Sequence, residues 1–220
     1  MSAVQAISES AERPALQDRS RESRDRLVKA GFRAFARDGY EGARIAEIAS
    51  EARISIGSFY HRFGDKRGFF NVLAEEFVSR SARNWDRFFA SVDRACSADE
   101  LFRRIITGVA RTMRRNIGFF HALLSLGRAD PTISPKVQRI DAYAAEKLHQ
   151  CLRERGMLDG SDIARERLHF IINTIGKKLA FSFAIEGPGC AADSPENVAE
   201  LSLMARRYLG IESRRGQRQE

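Results

Sequence analysis

Apolar residues recur at three- and four-residue spacing from Leu27 almost to the end of the chain, and no segment alternates with period two for long enough to form a strand. This pattern restricts the chain to an all-α fold of roughly nine helices, with ends good to a few residues. The remaining question is how those helices are grouped.

The first helical stripe is Leu27, Ala30, Gly31, Ala34 and Phe35; "RDGY" stops it, with Gly39 suited to a left-handed C′ position. A short helix follows over "ARIAEIASEA". A third, "IGSFYHRF", is capped by Ser55 and ended by Gly64. Asp65 caps a long fourth helix with Phe69, Leu73, Phe77, Trp85 and Phe88 as apolar positions. Beyond it come a basic amphipathic helix from Leu101 to Arg115, a short apolar one from Phe119 to Leu126, and a stripe from Val137 to Cys151. A long helix then runs from Ile163 to Ile185, and a last one opens on Ser194 as N-cap with Pro195 at the first helical position. The expected organisation is a disordered arm (1–22), a three-helix unit (23–68), a larger helical unit (69–210) and a disordered basic tail (211–220).

Charge adds direction. The net charge is +8, and Arg24 to Arg67 holds ten Lys/Arg against six Asp/Glu. Half the excess therefore lies in a fifth of the chain, which favours a polyanionic partner for the N-terminal unit. Cys96, Cys151 and Cys190 have no metal-type spacing and suit a reducing compartment. Met1 to Ser20 has no apolar core of a signal peptide, and no run is long enough to span a membrane, so a cytoplasmic protein is expected.

"ISIGSFYHRFGDK", Ile54 to Lys66, is the most unusual stretch. Two short helices joined by a turn, behind a supporting helix, form a helix-turn-helix, whose second helix can enter the major groove. In that setting each residue type has a use. Ser55 caps the helix whose first turn points at the duplex. Gly57 lets a phosphate approach the backbone. Tyr60 and His61 can donate to phosphate oxygens, and Lys66 adds charge at a helix start that already favours anions. Ser55, Ile56, Ser58 and Phe59 are candidate base readers, and Arg44 can add a phosphate or base contact.

Arg26 to Phe77 resembles the DNA-binding domain of the tetracycline-repressor (TetR) family of bacterial transcription regulators. The resemblance rests on "AGFRAFARDGYEGARIAEIA" and on Gly57, Tyr60, His61, Phe63 and Lys66 within the stretch above. Two positions depart from the family. Ala43 stands where a hydroxyl residue commonly caps the second helix, and Arg53 stands in the turn where glycine is frequent. A positive φ at Arg53 costs roughly 1–2 kcal/mol.

For the rest of the chain the resemblance implies a helical domain for dimerisation and effector binding. Gly176, Ala180 and Ala184 recur every four residues and allow close approach of another helix. With Val198, Leu201, Ala205 and Tyr208 of the last helix they are the expected dimer interface, since two half-sites call for a two-fold partner. The family also implies a pocket for a small hydrophobic effector, with Trp85, Phe89, Met113, Phe120, Leu124 and Phe181 as candidate lining. The fourth helix, shared by both units, is the natural coupler. The implied protein is a repressor that binds a palindromic operator as a homodimer, without metal or other cofactor.

Two other readings fit parts of the sequence. Glu146-x-x-His149 and Glu166-x-x-His169 have the spacing of di-iron carboxylate bundles. Both pairs, however, fall off the apolar stripes of their helices, and further inward carboxylates are not evident. No nucleophilic triad or Gly-rich phosphate loop is visible, so an enzyme is not expected. A repressor that works without an effector is the other alternative.

Overall fold

The computed structural model describes residues 3–158, 161–187 and 189–211. The expected basic tail, apart from Ile211, lies outside them. Among the described residues there are nine α-helices, one short 3-10 turn and no strand. The chain divides into two compact units, Met1–Leu73 and Ala74–Glu220. No helix of the described residues is long and apolar enough to cross a membrane.

The first unit comprises α1 (Ala3–Gly42), α2 (Ile45–Glu51), α3 (Ile56–Phe63) and the start of α4 (Lys66–Ala90). The division from the second unit falls inside α4, after Leu73. α1 includes the stretch expected as a disordered arm, and its side chains are described from Ser20 onward. It is broken at Gly39, whose φ of 67° and ψ of −171° form an extended conformation open to glycine, not the left-handed helical one expected. Leu27, Phe35, Ile48, Phe59, Phe69 and Phe70 are fully buried. Aromatic contacts hold this core together: Phe69 lies 4.7 Å from Phe63 and 5.0 Å from Phe59, ring centroid to centroid.

Gly31 on α1 makes the packing of α1 on α4 possible. A Cβ there would come within 2.6 Å of the Phe69 ring. Asp65 caps α4 as expected, its carboxylate accepting from the Gly68 N–H at 2.7 Å. The chain is so tight here that a Cβ on Gly68 would lie 2.2 Å from the Phe63 carbonyl oxygen.

The second unit holds the rest of α4, α5 (Ala98–Arg115), α6 (Ile117–Ala129), α7 (Ser134–Glu154), α8 (Asp162–Glu186), the 3-10 turn (Ala191–Asp193) and α9 (Pro195–Tyr208). Ser97, Ser161 and Ser194 cap α5, α8 and α9, each accepting from the backbone N–H three residues on. α8 packs on α7 and α5, and α9 on α5. The apolar stripe of α5 (Leu101, Phe102, Ile105, Ile106, Ala110) meets Leu168, Ile171, Ile175 and Leu179 of α8 in one core. Arg114 ties α5 to the 3-10 turn through both carboxylate oxygens of Asp193.

Candidate nucleic-acid interface

The turn between α2 and α3 is built by the end of α2. The Ile54 N–H reaches back to the Ala49 carbonyl, and the Arg53 N–H to that of Ser50, both at 3.0 Å. This is a Schellman closure with Arg53 in the left-handed position, φ 56°. The strain expected at that residue is therefore present. Arg26 on α1 supports the turn from below, its Nε donating to the Ala52 carbonyl at 2.9 Å. The start of α2 has no side-chain cap, as the missing hydroxyl implied, but its N-cap is Arg44; Ala43 is buried.

α3 begins in the extended backbone of Ser55, whose hydroxyl accepts from the Ser58 N–H at 3.1 Å and lies 2.8 Å from the Ser58 hydroxyl. Ser55, Ile56, Gly57, Ser58, Tyr60 and His61 are exposed together on this one helix. Nothing inside the chain requires glycine at 57, where a Cβ would meet only the Ser55 hydroxyl, 4.0 Å away. Phe59 corrects the sequence reading. It is 0% exposed and packs among Phe63, Phe69 and the Tyr60 ring, so it anchors α3 and reads no base.

The cations expected here are mostly engaged. Arg44 is exposed, with its guanidinium 3.7 Å from Glu47. Lys66 is half-buried: its Nζ donates to the Glu41 carbonyl at 3.1 Å and lies 4.8 Å above the Tyr40 ring. Burial, helped by the Asp65 and Glu41 carboxylates, pushes the Tyr40 hydroxyl up. Arg62 donates to the carbonyl and hydroxyl of Ser20.

In the second unit the structure redistributes the expected residues. Val198, Leu201 and Ala205 are buried in the core that α9 shares with α5, so they belong to the inside of this unit and not to its surface. Gly176, Ala180 and Ala184 are half-buried, Gly176 facing Asp141 of α7. Tyr208 is exposed and its ring meets that of Phe170 on α8 at 5.4 Å. The larger exposed apolar residues of these two helices are Ile163, Phe170, Phe181, Ile185, Met204 and Tyr208. The recurrence of Phe170, Thr174, Phe181 and Ile185 along one side of α8 could have revealed this face.

The six residues expected to line a pocket are not gathered around one. Met113 is in the core, Trp85, Phe89 and Phe120 pack against it, and Leu124 and Phe181 are exposed. Neither of two clefts, of about 250 and 1000 Å³, is lined by any of them. His149 is also corrected: it is 3% exposed and thus inside, not off the apolar stripe. Its partner in sequence, Glu146, is paired with Arg165 at 3.3 Å. Among the described residues no group of three or more His, Cys, Asp or Glu is placed to hold a metal.

The family described as bacterial regulatory proteins, tetR family, matches residues 27–73. The chain is 37% identical over 65 residues to the HTH-type transcriptional repressor AcnR of Corynebacterium glutamicum, a match covering 30% of this chain and 35% of that protein. It thus spans about a third of the length of this curated relative. Its fold is similar to that of a tetR-family transcriptional regulator from Streptomyces coelicolor, with a TM-score of 0.69 at 16% identity over 86% of this chain and 83% of that one. It is also similar to FadR of Bacillus subtilis crystallised with stearoyl-CoA, TM-score 0.55 at 16% identity, covering 84% and 96%. The helix-turn-helix described above lies inside the matched segment, so it is over residues 27–73 that the chain is similar to the tetR family of bacterial regulatory proteins.

Proposed function

We propose that this protein is a transcriptional repressor that binds a palindromic operator as a homodimer, acts in the cytoplasm and is released by a small hydrophobic effector. The observation that carries the reading is the division of labour on α3. Phe59 is fixed in the core while Ser55, Ile56, Gly57, Ser58, Tyr60 and His61 stay exposed on the same two turns. A helix held in this way from one side presents small and hydrogen-bonding groups to a groove and its phosphates. The tetR-family match, residues 27–73, contains this helix.

Dimer formation is supported by the exposed apolar residues of α8 and α9, with Phe170 and Tyr208 in ring contact and Phe181 and Ile185 further along α8. A second copy related by a two-fold axis would cover them and set two α3 helices on one duplex. The effector is supported by the fold shared with FadR, which was crystallised with stearoyl-CoA. One observation favours an effector-independent repressor instead: Leu124 and Phe181, expected to line a pocket, are exposed.

The test is selection from random duplex DNA by the purified protein, repeated with Tyr60→Ala and His61→Ala. Enrichment of an inverted repeat, lost in both variants, supports the operator reading. Binding indifferent to sequence and to both substitutions overturns it. A screen of hydrophobic ligands against the selected duplex then separates the two repressor readings, because only one of them predicts a compound that releases it.

A further inference from the structure

The cleft of about 1000 Å³ lies in the second unit and is formed by the loop before α5, the end of α7 and the end of α9. Four arginines line it, Arg94, Arg103, Arg155 and Arg206, against two carboxylates, Asp99 and Glu154. The acids are already occupied. Asp99 receives the Arg103 Nε at 2.7 Å on one oxygen, and a terminal nitrogen of Arg206 and the Ser202 hydroxyl, each at 3.1 Å, on the other. Burial pushes this carboxyl up, but the Arg103 and Ser202 hydrogen bonds and the two guanidinium charges outweigh it and hold it below the usual carboxylate range. Glu154 accepts from the Gln150 side chain at 2.9 Å.

Arg103 and Arg206 share the one Asp99 carboxylate, and among the described residues Arg94 and Arg155 pair with no acid. Arg155 is spent on carbonyl oxygens: those of Cys151 and Asp93 at 3.0 Å, and of Val92 at 3.4 Å. These bonds fix the wall of the cleft and leave its charge without a carboxylate. Arg103 is bonded through Nε, and among the described residues its terminal amino groups make no hydrogen bond. Arg94 is exposed and contacts no acid among them. Positive charge in excess, in a concave wall, draws anions, and a guanidinium oriented through Nε offers its outer edge as a fork for an oxyanion.

The second cleft, about 250 Å³, has a different lining: Met157, Leu158, Ile163, Ala164 and Leu209 together with Ser161 and Arg167. Met157 lines both clefts. Methionine adapts readily to varied apolar shapes, so this shared side chain suits a hydrocarbon tail reaching from one cleft towards the other.

We infer that these two clefts, which share Met157, together bind an amphipathic organic anion, its carboxylate or phosphate head held by Arg94 and Arg103 and its hydrocarbon tail lying past Met157. The site is distinct from the one proposed on α3, and its test does not depend on DNA binding.

Octanoate, octyl phosphate, octanamide and acetate are titrated calorimetrically into the full chain and into the double variant Arg94→Gln, Arg103→Gln. Arg94 is exposed and Arg103 half-buried, and Arg206 keeps Asp99 paired; circular dichroism checks that the variant is folded. At least one of the two octyl anions should bind with one site per chain. Octanamide and the double variant should each lose roughly tenfold or more in affinity, and acetate, lacking the tail, should bind far more weakly. Tighter binding of octyl phosphate assigns a phosphate head, and tighter binding of octanoate a carboxylate. Absence of binding by both anions overturns the inference, as does equal binding of octanamide or affinity unchanged in the double variant.

Discussion

Phe59 and Tyr60 are consecutive residues whose rings meet edge to face, 5.5 Å between centroids at 85°, yet one is 0% and the other 47% exposed. The pair divides stability from recognition along a single helix. Phe59→Ala should destabilise the N-terminal unit by about 3–5 kcal/mol. Tyr60→Ala should cost about 1 kcal/mol or less while weakening operator binding. Urea unfolding and DNA titration of the two variants, side by side, check the division.

Arg53 adopts φ 56°, where a side chain is strained and glycine is not. Arg53→Gly should stabilise the protein by about 1 kcal/mol, net of the extra entropy glycine gives the unfolded chain. The Schellman bonds from residues 53 and 54 are unaffected, since both are made by the backbone. A higher thermal midpoint is the expected result; a lower one would mean that the Arg53 side chain contributes more than its strain costs.

Two glycines should behave alike in direction and differently in size. Gly31→Ala meets the buried Phe69 ring at 2.6 Å, which can shift only by disturbing Phe59 and Phe63. The loss should be about 1–3 kcal/mol. Gly68→Ala meets a backbone oxygen at 2.2 Å and forces the turn between α3 and α4 to move. It should be the more damaging of the two by chemical denaturation.

The Asp141 carboxyl is pushed up to about 6 by burial, against the pull of the Asn173 hydrogen bond and the Lys177 charge. Between its unfolded value near 3.8 and about 6 the native state holds the extra proton. Its stabilising effect is thus complete below the lower value and is lost as the pH rises through the upper one. Asp141→Asn keeps an acceptor for Asn173 and removes the titration. The variant should gain roughly 1–3 kcal/mol on the wild type at pH 7.5 and little at pH 4. Urea unfolding at both values would show an equal difference if the group did not titrate in this range.

Phe170→Glu and Phe181→Glu place charges on the exposed side of α8, where the chain's own core is not disturbed. If a second copy covers that side, each substitution is present twice in one interface. Sedimentation should then show monomers with unchanged helical content. A wild type that is itself monomeric at micromolar concentration would overturn the homodimer.

The helix ends were legible because their signals are local. Ser55, Gly64, Asp65 and the Ser194–Pro195 pair each act within a turn of their own position, and each does so in the structure. The strain at Arg53 was legible for the same reason. What the sequence could not supply is the object a face is turned towards. Val198, Leu201 and Ala205 form a genuine apolar stripe, but a three-to-four spacing does not say whether α5 or another chain covers it. His149 was misread in the same way, and so were the six residues expected around a pocket, four of which simply fill or flank the core. Phe59 stood in a run of five bulky residues, where one residue's rotation separates anchor from contact.

Three cations near α3 are engaged at home, Lys66 on the Glu41 carbonyl and Tyr40 ring, Arg62 on Ser20 and Arg44 beside Glu47, while Arg53 in the turn is exposed. Besides Ile56 and Arg62, the groups facing outward on the helix itself are hydroxyls, an imidazole and a bare stretch of backbone. A duplex docked there would shed few of its condensed counterions per half-site, so the complex should weaken only gently as ionic strength rises. Its discrimination would then come from fit and hydrogen bonding, and this basic protein would hold on to its preferred sites at salt concentrations that strip purely electrostatic binders from DNA.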